Sequence, residues 1–146
     1  MTKVTRGIVR FKTEVYPQRK ELFDELARGQ HPEALFITCS DSRIDPNLLV
    51  QTETGELFII RNAGNIVPPH TNTTGGTTAT IEYAVAVLEV KHIIICGHSS
   101  CGALHGVLNP EAVEHLPHVK QWLSFSKAAH QIVEEKASDL SYDEKL

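Results

Sequence analysis

Phe36-Ile37-Thr38-Cys39-Ser40-Asp41-Ser42-Arg43 decides how the rest of the chain is read. Its first half is a short apolar strand, and its second half sets out a thiol, a carboxylate and a guanidinium on alternate residues. A matching stretch comes much later, where the apolar run Ile93-Ile94-Ile95-Cys96 leads through Gly97 to His98-Ser99-Ser100-Cys101. Cys39, His98 and Cys101 form a borderline-soft donor set that suits zinc and leaves its fourth position free. The expectation is a metal site assembled from two strand ends.

Working outward, Ala34 to Thr38, Leu57 to Arg61 and His92 to Cys96 read as three strands, each short and apolar. Helical patterns alternate with them. Glu14 to Arg28 carry Leu22, Phe23 and Leu26 on one face, with Pro17 near the start and Gly29 as a left-handed stop. The preceding residues 1–12 read as an arm, with Ile8, Val9 and Phe11 too few to make a core. An amphipathic segment of this kind needs a surface, either its own sheet or a second subunit. Ile44 to Asn47 read as a turn opening a short helix through Val50, Thr54 to Glu56 as a turn, and Asn62 to Asn65 as a loop. Asn72 to Gly76 read as a polar, flexible segment, and Thr77 to Val90 as a buried helix. Gly102 to Leu108 start another helix, broken at Asn109-Pro110. Pro117 opens a long last one with Val119, Trp122, Leu123, Phe125 and Ile132 on its apolar side. The fold class is therefore α/β, a parallel sheet flanked by helices. In such sheets ligands bind beyond the carboxyl ends of the strands, where Cys39, Arg61 and His98 all fall.

Taken singly, Cys39 and Cys101 could be buried small hydrophobes and His98 a satisfied core histidine; their joint placement at neighbouring strand ends favours ligation. Cys96 sits inside an apolar run and reads as core. If the chain stays extended after Cys39, Asp41 and Arg43 project to the same side as the thiol. A carboxylate there either completes the metal's tetrahedron or takes a proton beside it, and an arginine gripping it would keep it ionised and off the metal. The alternative is an ordinary surface ion pair worth little, which the spacing favours less. Gly97 and Gly102 suit a tight metal loop or simple punctuation, spacing does not decide the role of Arg61-Asn62, and His105 is a weak candidate for a supporting contact.

Composition bounds the rest. At 146 residues, with 41% apolar and 22% charged side chains, the chain has the makeup of one globular domain. A net charge of −4 and a pI near 6.0 offer no bulk attraction to nucleic acid or anionic lipid. No run is long enough to span a membrane, and the N-terminus lacks the apolar core of a signal peptide. An odd, small number of cysteines, three, argues against a disulfide framework and points to the cytoplasm.

With these residues in view, the chain resembles the β-class carbonic anhydrases. Cys39-Ser40-Asp41-Ser42-Arg43 matches that family's Cys-x-Asp-x-Arg motif and Gly97-His98-Ser99-Ser100-Cys101-Gly102 its Gly-His-x-x-Cys-Gly motif. Arg61 to Asn65 and Ile81 to Ala84 are similar to its intervening segments, and the resemblance runs from about Phe11 to about Leu108. It implies zinc on Cys39, His98 and Cys101, with Asp41 as a fourth ligand in some members, and Asp41 with Arg43 as the catalytic dyad. It places Gln30 and Gly102 at the substrate, Gln30 across a dimer interface. It also implies a homodimer or larger assembly with exchanged N-terminal helices, and reversible hydration of carbon dioxide to bicarbonate. Members regulated by bicarbonate carry Trp where this chain has Phe36. The expected organisation is a single carbonic-anhydrase-like domain over residues 1–146, with 1–30 as arm and helix. Family chains continue further, so the C-terminal edge of the usual domain is expected to be missing after the polar residues 138–146. Two rivals are weighed against carbon dioxide: hydrolysis of carbonyl sulfide or carbon disulfide on the same scaffold, and a closed, non-catalytic structural zinc site.

Overall fold

The computed structural model of the chain describes residues 1–70, 74–137 and 139–146. The chain divides into two compact units, Met1–His31 and Pro32–Leu146.

In the N-terminal unit, α1 (Lys3–Arg10) starts where Thr2 accepts a hydrogen bond from the Thr5 N–H, so helix begins well before the expected Glu14. A π-helical turn, Phe11–Val15, leads into α2 (Tyr16–Gln18), with the Tyr16 N–H bonded to the Phe11 carbonyl five residues back. The widened turn lies just ahead of Pro17, which has no N–H to continue the ordinary ladder. After Arg19 comes α3 (Lys20–Leu26). Phe11, Tyr16 and Phe23 form a ring cluster, with Phe11 edge-on to Phe23 at 5.7 Å. Gly29 is not left-handed: the only positive-φ glycines among the described residues are Gly55 and Gly64.

The larger unit is built on three parallel strands in the order β2-β1-β3: β1 (Ala34–Cys39), β2 (Leu57–Asn62) and β3 (His92–Cys96). All six residues of β1 are buried, as a central strand requires. Ala34 stands opposite Leu57 on one side and His92 on the other, so the strands end level: Cys39 faces Asn62, and Thr38 faces Cys96. Buried Thr38 satisfies its hydroxyl on the Cys96 carbonyl at 2.9 Å. One face of the sheet buries Leu35, Ile37 and Ile60 against Ala84 of α5 (Gly76–Ala86), with Phe58, Ile81 and Val90 around them.

Between β1 and β2, α4 (Pro46–Val50) is capped by the Asp45 carboxylate on the Leu48 N–H at 3.2 Å. Asn72 and Thr73 of the expected flexible segment lie outside the described residues, as does Ser138. Gly75 already serves as the cap of α5. That helix is shorter than expected and largely exposed; only Ala84 is buried, and Tyr83 and Val85 face outward. Apolar spacing shows which residues share a face, not whether that face is covered. β3 pairs only with β1 among the described residues, and Ile93, Ile94 and Ile95 are 52%, 41% and 57% exposed. Cys96 is accordingly half-exposed on an edge strand and not core.

Beyond the sheet run α6 (Gly102–Leu108), a 3₁₀ turn at Pro110–Val113, α7 (Pro117–Leu123), a second 3₁₀ turn at Ser124–Ser126, α8 (Lys127–Lys136) and α9 (Tyr142–Lys145). The expected long last helix is thus interrupted, and of its apolar residues only Leu123 is buried. Leu123 lies against Gly106 of α6, where an added Cβ would stand 3.0 Å from Leu123 Cδ1 and 2.7 Å from Val113 Cγ1.

Candidate metal centre

Cys39 is the last residue of β1, His98 follows β3 by two residues, and Cys101 immediately precedes α6. Because the parallel strands end level, these three side chains meet. Their donor atoms all lie within 4.8 Å of one another. The two sulfurs are 3.8 Å apart and belong to free cysteines. Two thiolates held at about 2.3 Å by a tetrahedral ion stand about 3.8 Å apart, so the spacing fits zinc without rearrangement.

The histidine is set up to match. Its Nδ1 donates to the Ser99 carbonyl at 2.9 Å, which leaves the Nε2 lone pair as the free donor. Nε2 is buried and has no hydrogen-bond partner. A buried imidazole nitrogen without a partner is costly unless something else occupies it, and a cation answers that need.

The thiols differ. Burial alone would raise Cys39, but hydrogen bonds, foremost that of the Gly64 N–H, outweigh it and bring the thiol from 9.0 down to about 7. Burial dominates at Cys101 and pushes that thiol up, against the N–H groups of Leu104 and Ala103. Cys39 is thus the readier of the two to ionise, and a cation held between them would favour the loss of both protons.

Beside this trio, Arg43 grips Asp41 with both ends: Nε to Oδ1 at 2.9 Å and Nη2 to Oδ2 at 2.8 Å. The strand does not continue, as it would have to for Asp41 and Arg43 to share the Cys39 face by alternation. They meet across a turn in which the Arg43 N–H also reaches Oδ1 at 2.9 Å and the Ile44 N–H returns to the Asp41 carbonyl. The Arg43 hydrogen bonds hold the Asp41 carboxyl well below the usual carboxylate range. Asp41 Oδ2 lies 3.9 Å from His98 Nε2, so the carboxylate borders the trio while committed to the guanidinium. Arg43 Nη2 also donates to the Ser100 carbonyl at 3.0 Å, tying the two halves of the site together.

Arg61, undecided from spacing, donates to the Cys39 carbonyl at 3.0 Å and the Asp41 carbonyl at 2.6 Å, holding the backbone on either side of Ser40. Gly102 opens α6 next to Cys101, with nothing within 4 Å of an added Cβ. Gln30 is exposed in the N-terminal unit. His105 packs its ring edge-on against Tyr142.

The residue that sequence spacing missed is Gly64. Its N–H donates to Cys39 Sγ at 3.4 Å from a backbone with φ of +79°. Only its glycine identity, in the loop after β2, hinted at that conformation.

Comparison with known proteins places these features in a family. A family model described as carbonic anhydrase matches residues 34–146. A carbonic anhydrase of Synechococcus elongatus is 48% identical over 145 residues, covering 99% of this chain and 53% of its own length. The chain thus spans about half the length of the curated relatives it matches. Among solved structures, the β-carbonic anhydrase CcaA superposes with a TM-score of 0.91 at 44% identity, covering 98% of this chain and 70% of that one. One of two tetrameric β-carbonic anhydrases from Sordaria macrospora gives a TM-score of 0.81 at 36% identity, covering 97% and 70%.

Proposed function

The chain belongs to the carbonic anhydrase family, and we propose that it catalyses the reversible hydration of carbon dioxide to bicarbonate and a proton, with zinc held by Cys39, His98 and Cys101. The observation that carries this is a three-donor cluster with an unpartnered Nε2, bordered by a carboxylate whose arginine keeps it off the cluster. Zinc bound there supplies a Lewis acid that draws the pKa of a coordinated water from about 15.7 towards about 7.

The chain's own residues do the rest. Asp41 stays ionised because Arg43 binds both its oxygens, and the remaining lone pair of Oδ2 accepts a hydrogen bond from the attacking water. Arg43 sets the carboxylate's direction, and its bond to Ser100 keeps that direction fixed to the His98–Cys101 turn. Gly102, bare of side chain beside Cys101, leaves room for the substrate, and Gln30 of a second copy completes the pocket. The exposed Val4, Ile8 and Val9 along α1 support a homodimer or larger assembly, as does the description of the Sordaria macrospora proteins as tetrameric. Residues 1–146 act as one such domain with 1–30 as its arm. A reducing compartment, the cytoplasm, suits two thiols that must stay free. No helix among the described residues is long and apolar enough to cross a membrane.

Zinc content measured together with stopped-flow carbon dioxide hydration tests this. One zinc per chain and turnover that depends on it are expected. A zinc-loaded chain that leaves carbon dioxide unreacted but hydrolyses carbonyl sulfide would replace the substrate, and one inert to both would make the site structural.

A further inference from the structure

The peptide unit between Ala63 and Gly64 is held at both ends. On one side the Trp122 indole Nε1–H donates to the Ala63 carbonyl at 2.8 Å. On the other, the Gly64 N–H of the same unit donates to Cys39 Sγ at 3.4 Å. No peptide bond among the described residues is cis, so this C=O and N–H point in opposite directions. Turning the plane to aim the carbonyl elsewhere would therefore turn the N–H away from the sulfur. We infer that Trp122 is a positioning residue for the metal centre: through the Ala63–Gly64 peptide it aims the N–H that supports the Cys39 thiolate.

The surroundings allow little other adjustment. The loop is closed behind this peptide by Asn62, whose Oδ1 accepts from the Ile66 N–H at 2.8 Å and whose Nδ2 donates to the Ile66 carbonyl at 2.9 Å. Trp122 itself is fixed. Its neighbour Leu123 is buried against Gly106 of α6, the helix that begins beside Cys101, and its ring packs edge-on against Phe125 at 5.6 Å. α7 and α6 thus act on the two cysteines as one body, α7 through Trp122 on Cys39 and α6 through its own first turn on Cys101. Groups that orient a metal ligand from outside typically contribute about 10–100-fold in affinity. Trp122 acts one peptide further out, so about tenfold is expected.

This inference rests on the reading of Cys39, His98 and Cys101 as metal ligands, and its test separates the two. The full chain, stripped of metal, is titrated with Zn2+ against a chelating competitor and with Co2+ for its thiolate charge-transfer bands. Trp122→Phe removes the donor. A chain with β-(3-benzothienyl)alanine at position 122 keeps the ring's shape but has sulfur in place of the indole N–H, and stands in should the Phe variant misfold. The expected result for either is about tenfold weaker Zn2+ binding and a Co2+ charge-transfer band moved to lower energy, because a thiolate without its N–H is richer in electrons. Phe125→Ala takes away one support of the Trp122 ring but leaves its donor, so both readings should fall between those of the unsubstituted chain and Trp122→Phe. Unchanged affinity and spectrum in the benzothienyl chain would overturn the role of Trp122 alone. A parent chain that binds neither ion would overturn the metal reading and this inference with it.

Discussion

Gly64→Ala perturbs the centre at the backbone without touching a ligand. At φ +79° an L-residue costs about 1–2 kcal/mol relative to its ordinary conformations. The new methyl would stand 3.3 Å from Ala103 Cβ, 3.5 Å from Leu104 Cδ2 and 3.6 Å from Ile66 Cδ1, so only the first contact is tight. Crowding then adds a few tenths, for a total of about 1.5–2 kcal/mol, or a fall of about 4–8 °C in the unfolding midpoint. Thermal and urea unfolding of the zinc-free chain, followed by circular dichroism, measures this. Gly7→Ala is the internal control: it lies within α1 with nothing within 4 Å of the added methyl, and alanine there favours helix by about 1 kcal/mol. The two glycine-to-alanine changes should therefore have opposite signs. Gly64→Ala should also weaken zinc binding, since the crowded Ala103 supports Cys101 through its N–H and the loop must shift to make room. A Gly64→Ala chain as stable as its parent would refute the reasoning.

Asp41→Asn and Arg43→Ala should both retain zinc by elemental analysis while stopped-flow turnover falls by about 10²–10⁴-fold; near-normal turnover in either would remove the pair from the mechanism. The pH dependence of the zinc-free chain's stability follows from the two thiols. Cys39 is lowered to about 7, so its contribution is present above its unfolded value of 9.0 and is lost as pH falls through about 7. Cys101 is raised, so its contribution is present below 9.0 and is lost as pH rises further. Urea unfolding from pH 6 to 10 should show the first trend vanish in Cys39→Ser and the second in Cys101→Ser. Gly106→Ala should lower stability by about 1–3 kcal/mol, because its methyl would meet Val113 at 2.7 Å and Leu123 at 3.0 Å; a neutral result would show that α6 and α7 slide apart freely.

The central strand and the ligand trio were legible because both depend on short-range pattern. The apolar run before Cys39 is too short for an ordinary helix and reads as a strand, and parallel strands that start together end together, which brings Cys39 and His98 side by side. What escaped was non-local or depended on context. A run of isoleucines does not say whether its strand is central or at an edge, and Cys96 was misplaced for that reason. The helix expected from Glu14, with Pro17 near its start, begins earlier because local rules do not anticipate a π-turn ahead of that proline. Asp41 and Arg43, whose pairing the sequence leaves open, meet across a turn and not by strand alternation, since Ile44 turns the chain back where extension is expected. Arg61, Gly64 and Trp122 act through backbone carbonyls and N–H groups that no side-chain pattern displays.

Zinc-edge X-ray absorption on the loaded chain tests the centre most directly. The predicted shell is two sulfurs at about 2.3 Å and two lighter atoms at about 2.0–2.1 Å, unchanged in Asp41→Asn because that carboxylate stays with Arg43. A shell without two sulfurs, or one that loses a light atom when Asp41 is changed, would contradict it.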